Sequence, residues 1–502
     1  MLRNLRSLLV HAPDAMPRVV TALVAGFALA QGLLVCTIAN GPSGDEGIYA
    51  WLGMVNHATW PRVEGGDWVN GSPVLWPSIV GPLWRFGGLT AVRLATVALM
   101  TLTLMLLARA SARWSGGPAA TVTTLLLVTN GPLLALGHLA VYDVPAITAL
   151  AVSVYAAAHR TTGGDRRWVL VAGVTLGVAI VTKYALVFVA PLVVLAFAMN
   201  RPVWASRRVR LGDAVVTAAA AAGLVIAHNA WILGRVIPPS YWAYTAAAPP
   251  VGRWLVTGEQ LFFALPVLLL VWGLWPTPPG RAHAGALPRA LLVLGGAVLV
   301  YPLFHLLTGN PQSANKHVVI GLVAAAPALG ALWRDALARR GMVALGAWGA
   351  LQWAVLEYSW VNARGVADQL AAQVRAGDVV LGNEGTFRYR AALYARGVDG
   401  GLRDLALDVP RARDVRTWLV LESPVSNAEQ RWLEAADPAR AQRVGRWIGW
   451  HIGADARRPF GVHRVETQLY RWEAATPELT RPAGAAPGGA AVPRPTPAPR
   501  GP

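Results

Sequence analysis

Lysine is almost missing from this chain: of 44 basic residues only Lys183 and Lys316 are lysines, and the rest are arginines. Cysteine is scarcer still, because Cys36 stands alone and can form no intramolecular disulfide. Charged residues make up only 14% of the 502 residues, whereas hydrophobic residues reach 55%; a typical soluble domain carries about 25% charged residues. These shortages exclude an ordinary soluble core and a disulfide-stapled secreted scaffold. The chain also lacks a Gly-rich phosphate loop, an HExxH helix, a Cys/His zinc pattern and a GxSxG elbow, which leaves few ways to bind a nucleotide or build a hydrolase.

What the chain does have is a series of apolar runs, each close to the ~20 residues a helix needs to cross a bilayer. They fall at 19–37, 89–109, 118–136, 143–158, 168–182, 184–200, 213–234, 258–276, 289–308, 317–333 and 341–360. This predicts a mainly α fold, a polytopic membrane helix bundle of about 11 transmembrane helices. The first run, after Met1-Leu2-Arg3-Asn4-Leu5-Arg6, is too long for a signal peptide and lacks a small-x-small cleavage site, so it reads as an uncleaved span. Leu33-Leu34-Val35-Cys36 lacks the small residue of a lipoprotein site, and Cys36 reads as a buried apolar thiol.

A net charge of +18 would suit a nucleic-acid partner, but its distribution argues against one. Residues 1–360 hold 24 basic and 11 acidic residues. If the spans alternate from a cytoplasmic N-terminus, 17 of those 24 fall in inside segments, among them Arg109, Arg113, Arg166, Arg207, Arg339 and Arg340. That is the positive-inside bias of a cytoplasmic-membrane protein. An odd number of spans then puts everything after residue 360 outside.

Residues 1–360 form the membrane domain in this reading, and 361–476 form a small extracytoplasmic α/β domain. Asp368 to Val374, Arg388 to Arg396 and Asn427 to Ala436 predict helices there. Asp378 to Leu381, Trp418 to Leu421 and Val462 to Trp472 predict strands. From 477 to 502 the composition is Pro, Ala and Gly, which predicts a disordered tail.

The residues that could carry chemistry gather at the outer ends of spans. Asp45-Glu46 directly follows the first span. Either acid could serve as a base toward an acceptor, or simply cap a helix. Asp143, in the hairpin His138-Leu139-Ala140-Val141-Tyr142-Asp143-Val144-Pro145, lies on the same face. Asp45 and Asp143 together could hold a divalent metal ion, or Asp143 could be a helix cap. Lys183 and Lys316 also fall at outer ends; a compact ammonium suits one phosphate charge, and snorkelling to the interface is the bland alternative. The outer loop 57–88 carries Trp60, Trp68, Trp76 and Trp84, which fits amphipathic helices lying in the interface. The loop 235–257, with Tyr241-Trp242-Ala243-Tyr244, has the length of a gate.

The order of these features resembles the GT-C glycosyltransferases. The similarity is to the branch holding dolichyl-phosphate-mannose protein mannosyltransferases and the bacterial aminoarabinose transferases of lipid A. The resemblance rests on Asp45-Glu46 with Tyr49, on Gly66-Asp67-Trp68 leading into Ser72-Pro73-Val74-Leu75-Trp76, on the Asp143 hairpin, and on the stretch from Gly173 to Tyr184. It covers roughly residues 20–335. It implies transfer of a sugar from a polyprenyl-phosphate donor to a glycan, lipid or protein acceptor outside the cytoplasmic membrane. Asp45 would then be the catalytic base with Glu46 beside it, and Asp143 a second acid or metal ligand. Lys183, Lys316 and His317 would be contacts for the donor phosphate. The chain departs from the aminoarabinose transferases at Ser72, where those usually have a basic residue. A transporter or flippase of a lipid-linked sugar is the alternative, but it should show paired repeats and midplane charges. A non-catalytic scaffold would leave the acids and lysines without a role.

Overall fold

The computed structural model describes residues 16–37, 43–63, 65, 69–162, 165–199, 206–237, 253–264, 293–309, 313–332, 336–357, 364–375, 378–382, 402–404, 416–422, 441–455 and 458–472. The helices expected at 388–396 and 427–436, the tail, the Tyr241–Tyr244 segment, Trp68 and most of the 258–276 run lie outside these residues.

The chain is mainly helical. The first half runs through α1 (Arg18–Thr37), α2 (Gly44–Thr59), α3 (Pro77–Ser115), α4 (Gly117–Val128), α5 (Gly131–Leu136), α6 (Asp143–Thr161) and α7 (Arg167–Thr182). A 3-10 turn at Tyr184–Phe188 leads into α8 (Ala190–Met199) and α9 (Arg207–Leu233). Then come α10 (Arg253–Phe263), α11 (Ala297–Thr308), α12 (Ala314–Leu332) and α13 (Ala336–Glu357). Among the described residues, four helices are long and apolar enough to cross a membrane: Arg18–Thr37, Pro77–Ser115, Arg207–Leu233 and Ala314–Ala331. Others are shorter because the run is broken. The 118–136 run is two helices, with Asn130 turning aside to cap α5 by accepting from the Leu133 N–H at 3.0 Å.

α3 is longer than its apolar run. It begins at Pro77 and passes a kink at Gly87-Gly88, so half of the supposed interfacial loop is helix. Trp76, expected in the membrane interface, is instead in the core, its Nε1 donating to the Ala140 carbonyl at 3.2 Å. The polar end of the indole has found a buried acceptor, and the ring then packs as a large apolar body. Trp60 is about half exposed and meets Trp231 edge-on, with ring centroids 6.0 Å apart. Cys36 is another correction: it is exposed on α1. The buried stripe of that helix is Val20, Val24, Phe27, Gln31 and Val35, and one residue past Val35 rotates about 100° off that stripe.

α7 and α9 pack with their backbones close together. A Cβ on Gly173 would come within 2.7 Å of the Thr217 carbonyl, and one on Gly177 within 2.9 Å of the Ala221 carbonyl. Small residues spaced by four allow such approach between membrane helices. One turn earlier on the same stripe of α9, Asp213 accepts from Arg160 Nε at 2.8 Å with both side chains buried. Arg160, one of the 17 basic residues that the alternation of spans assigns to inside segments, is thus the partner of an internal acid.

The C-terminal elements are α14 (Arg364–Gln373) and a five-stranded sheet of order β2-β1-β3-β5-β4. The strands are β1 (Val379–Gly382), β2 (Leu402–Asp404), β3 (Thr417–Glu422), β4 (Ala441–Asp455) and β5 (Arg458–Trp472). β1 pairs in parallel with β2 and β3, and β5 runs antiparallel to β3 and β4. Val366 and Leu370 of α14 close on Val380, Trp418, Val420 and Leu469 of the sheet. β4 was not foreseen, because Gly445, Gly449 and Gly453 dilute its alternation and a bulge interrupts its register between Arg443 and Gly445.

Asp378 ties the start of β1 to β3. Its carboxylate accepts from Arg416 Nη2 at 2.6 Å, Trp418 Nε1 at 2.9 Å and the Arg375 N–H at 2.9 Å. Burial alone would raise this carboxyl, but the three donors outweigh it and hold its pKa below the usual aspartate value. A depressed folded-state pKa adds stability that is complete above the unfolded value and is lost as pH falls through the folded one. Hydrogen-exchange protection at Val379–Gly382, corrected for the intrinsic rate, should therefore fall on acidification in the wild type. Asp378→Asn should already be weakly protected at neutral pH, and its protection should respond little to acid.

Candidate active site

Asp45 and Glu46 open α2, and the structure gives them opposite surroundings. Ser43 caps the helix and forms a capping box with Glu46. Glu46 is fully buried, and its carboxylate accepts from the Ser43 N–H (2.8 Å), the Ala140 N–H (2.8 Å), Arg93 Nε (2.9 Å) and Arg93 Nη2 (2.8 Å). Every lone pair it could offer a substrate is in use. Through these bonds Glu46, expected beside Asp45 in the chemistry, joins α2, α3 and the hairpin that carries Asp143.

Asp45 points the other way. Its side chain is 40% exposed and forms an ion pair with Lys316, itself 21% exposed, from the first turn of α12. Asp143 is paired with Lys183, and here both side chains are buried, at 1% and 4% exposure. It is not the helix cap, since Tyr142 occupies that position and makes no capping bond. Its Oδ1 takes the lysine, while its Oδ2 is buried with no hydrogen-bond partner among the described residues. Lys183 Nζ also stands 5.1 Å from the Tyr142 ring centroid, and that ring packs against Tyr49 at 4.6 Å. The two pairs share one locale, because Lys183 interacts electrostatically with Asp45 and Lys316 as well as with Asp143.

Lys183 is placed by a break in the helix. α7 stops at Thr182, Lys183 is extended (φ −145°, ψ 109°), and the 3-10 turn begins at Tyr184. A short clamp holds this break: the Ser72 N–H donates to the Val181 carbonyl at 2.7 Å and the Tyr184 N–H to the Asn70 carbonyl at 3.1 Å. Gly71 makes the clamp possible, since a Cβ there would lie 2.1 Å from the Thr182 carbonyl oxygen. The sixth expected residue, His317, is buried next to Lys316 and bonds through Nδ1 to His305 Nε2 at 3.0 Å, with Tyr301 tilted against its ring.

The structure thus brings Asp45, Asp143, Lys183, Lys316 and His317 together and turns Glu46 away. It adds Tyr49, Tyr142, His305 and Arg93, of which Arg93 had an overlooked signal: an arginine inside an apolar run is itself a flag. The carboxylates of Asp45 and Asp143 are the expected metal ligands. Each holds an ammonium, and among the described residues no group of three His, Cys, Asp or Glu could hold a metal ion.

The site sits in a known architecture. Residues 63–236 match the family described as Dolichyl-phosphate-mannose-protein mannosyltransferase. The fold is similar to that of ArnT from Cupriavidus metallidurans bound to undecaprenyl phosphate. That similarity has a TM-score of 0.57 and 14% identity, and covers 89% of this chain and 97% of ArnT. The apo state of the same protein gives 0.56 and 15% over the same shares. A variant of the arabinofuranosyltransferase AftD from Mycobacteria gives 0.51 and 13%, over 92% of this chain and 42% of AftD. No curated protein sequence matches the chain. The family match thus covers residues 63–236, the chain shares the fold of ArnT, and four helices among the described residues are long and apolar enough to cross a membrane.

Proposed function

We propose that this protein moves a sugar from a polyprenyl-phosphate donor to a glycan, lipid or protein hydroxyl on the extracytoplasmic face of the cytoplasmic membrane. In this reading the bundle has about eleven spans, and the C-terminal helix and sheet form an α/β domain on that same face. The observation that carries the proposal is the contrast between the two acid–lysine pairs: Asp143–Lys183 is sealed, and Asp45–Lys316 is open. The sealed pair keeps its geometry and acts on the site as fixed charge; the open pair can change partners.

The acceptor hydroxyl attacks the anomeric carbon, the bond from that carbon to the phosphate oxygen breaks, and the polyprenyl phosphate leaves carrying the electron pair. Asp45 takes the hydroxyl proton. Charge develops on the departing phosphate, and Lys316 and Lys183 stabilise it, with His317 beside them as a hydrogen-bond partner. The donor phosphate draws Lys316 off Asp45, which frees that carboxylate to act as a base. The buried Oδ2 of Asp143 offers an acceptor for a sugar hydroxyl. That each ammonium is held by an aspartate supports this reading over simple snorkelling.

ArnT was solved with undecaprenyl phosphate bound, and the test uses that class of donor. Purified protein given undecaprenyl-phosphate-linked sugars and envelope acceptors should release undecaprenyl phosphate; failure with every such sugar would remove the reading. Lys316→Met should raise the donor KM about tenfold, one charge-assisted contact, with thermal stability near wild type. Lys183→Met should weaken donor use and also lower stability, since it strands Asp143 as a buried charge. A larger effect on acceptor KM than on donor KM in either variant would count against the phosphate role.

A further inference from the structure

The clamp that holds Lys183 is itself held by a side-chain chain running into α9. Ser72 is buried, and its Oγ lies 2.9 Å from His228 Nε2, 3.0 Å from the Leu75 N–H and 3.2 Å from the Val74 N–H. His228 Nδ1 lies 3.0 Å from Asn229 Oδ1, and Asn229 Nδ2 donates to the Val236 carbonyl at 3.0 Å. The inventory of donors fixes the direction of every bond. Both lone pairs of the serine oxygen are taken by backbone N–H groups, so its one hydrogen must go outward. Nε2 of His228 is its acceptor, which puts the imidazole proton on Nδ1, where it is donated to Asn229.

We infer that His228 is a positioning residue for the donor lysine, acting through Ser72 and the 70–72 clamp, with Asn229 fixing its tautomer. The inference rests on the donor reading above. Its logic is mechanical. Lys183 is aimed by an extended residue between a helix and a 3-10 turn, and the Asn70–Ser72 segment pins that break through backbone bonds on both sides of it, with the Tyr301 hydroxyl donating to the Ala185 carbonyl at 2.8 Å farther along the turn. Ser72 is the anchor of that segment, and a buried serine without an acceptor for its hydrogen would abandon one of its three bonds. α9 supplies the acceptor at its outer end, where its close packing on α7 has already fixed the distance between the two helices. Among the described residues His228 bonds to Ser72 and Asn229 and to no member of the acid–lysine cluster.

The test titrates undecaprenyl phosphate into the full-length protein in detergent and measures its affinity, beside thermal stability. His228→Phe fills the space without an acceptor, and Ser72→Ala removes the donor. Each should weaken binding about tenfold, the cost of one buried hydrogen bond. The double variant should be no weaker than either single one, because one link is being cut twice. His228→Gln should restore binding to near wild type, since its amide oxygen can accept from Ser72 while its NH₂ donates to Asn229. A His228→Phe protein that binds as tightly as wild type would overturn the inference and leave the donor reading standing. So would losses that multiply in the double variant, or a His228→Gln as weak as His228→Phe. A wild type that binds no undecaprenyl phosphate would overturn both.

Discussion

Asp45→Asn is expected to lower sugar transfer by about two to four orders of magnitude, the usual reach of a general base, while expression and thermal stability stay near wild type. The substitution keeps the shape and removes only the ability to take a proton. It also cuts an ion pair to Lys316, but that pair is part-exposed, with Asp45 at 40% and Lys316 at 21%. Such pairs contribute about 0–1 kcal/mol, so the melting temperature should barely move. The effect should fall on kcat, because the proton is transferred in the transition state, and undecaprenyl phosphate affinity should hold or improve as Lys316 loses its competing partner. Transfer assays with a saturating donor, beside a thermal melt, separate these outcomes. Undiminished transfer would remove Asp45 as the base.

The sequence carries much of this site because ionisable residues are costly near a bilayer and therefore few. Asp45, Asp143, Lys183 and Lys316 stand out by scarcity and by lying at span ends that the arginine distribution assigns to one side. Their pairing was not legible, since lysine against aspartate across 40 and 271 residues depends on how helices pack, not on local pattern. The role of Glu46 was hidden for the same reason. Its neighbour Asp45 faces Lys316, and one residue's rotation on a helix turns Glu46 to Arg93 and the core. His228 reads as an unremarkable polar residue near a span end until Ser72 is brought beside it from 156 residues away. Helix ends were misread where polar capping cut an apolar run, as at Asn130, or where helix continued past its apolar stretch, as in α3.

Glu46→Gln is expected to do the reverse of Asp45→Asn, one residue away. The buried carboxylate neutralises Arg93, which is 2% exposed, and satisfies two backbone N–H groups besides. Removing its charge leaves a buried guanidinium uncompensated, a change that costs about 3–5 kcal/mol in comparable buried pairs. The amide also cannot accept everywhere the carboxylate did, so the Ala140 N–H or the Ser43 N–H loses its partner. Activity should fall with stability, because Ala140 lies in the hairpin that carries Tyr142 and Asp143, and Ser43 sets the start of the helix that carries Asp45. Arg93→Met should destabilise by a similar amount, leaving the anion unpaired. The double substitution Glu46→Met with Arg93→Met should be more stable than either single one, since no charge is then stranded. Thermal melts of the four proteins in one detergent test this directly. If Glu46→Gln instead melted like wild type and lost only transfer, Glu46 would belong to the chemistry and the tether would not be its role.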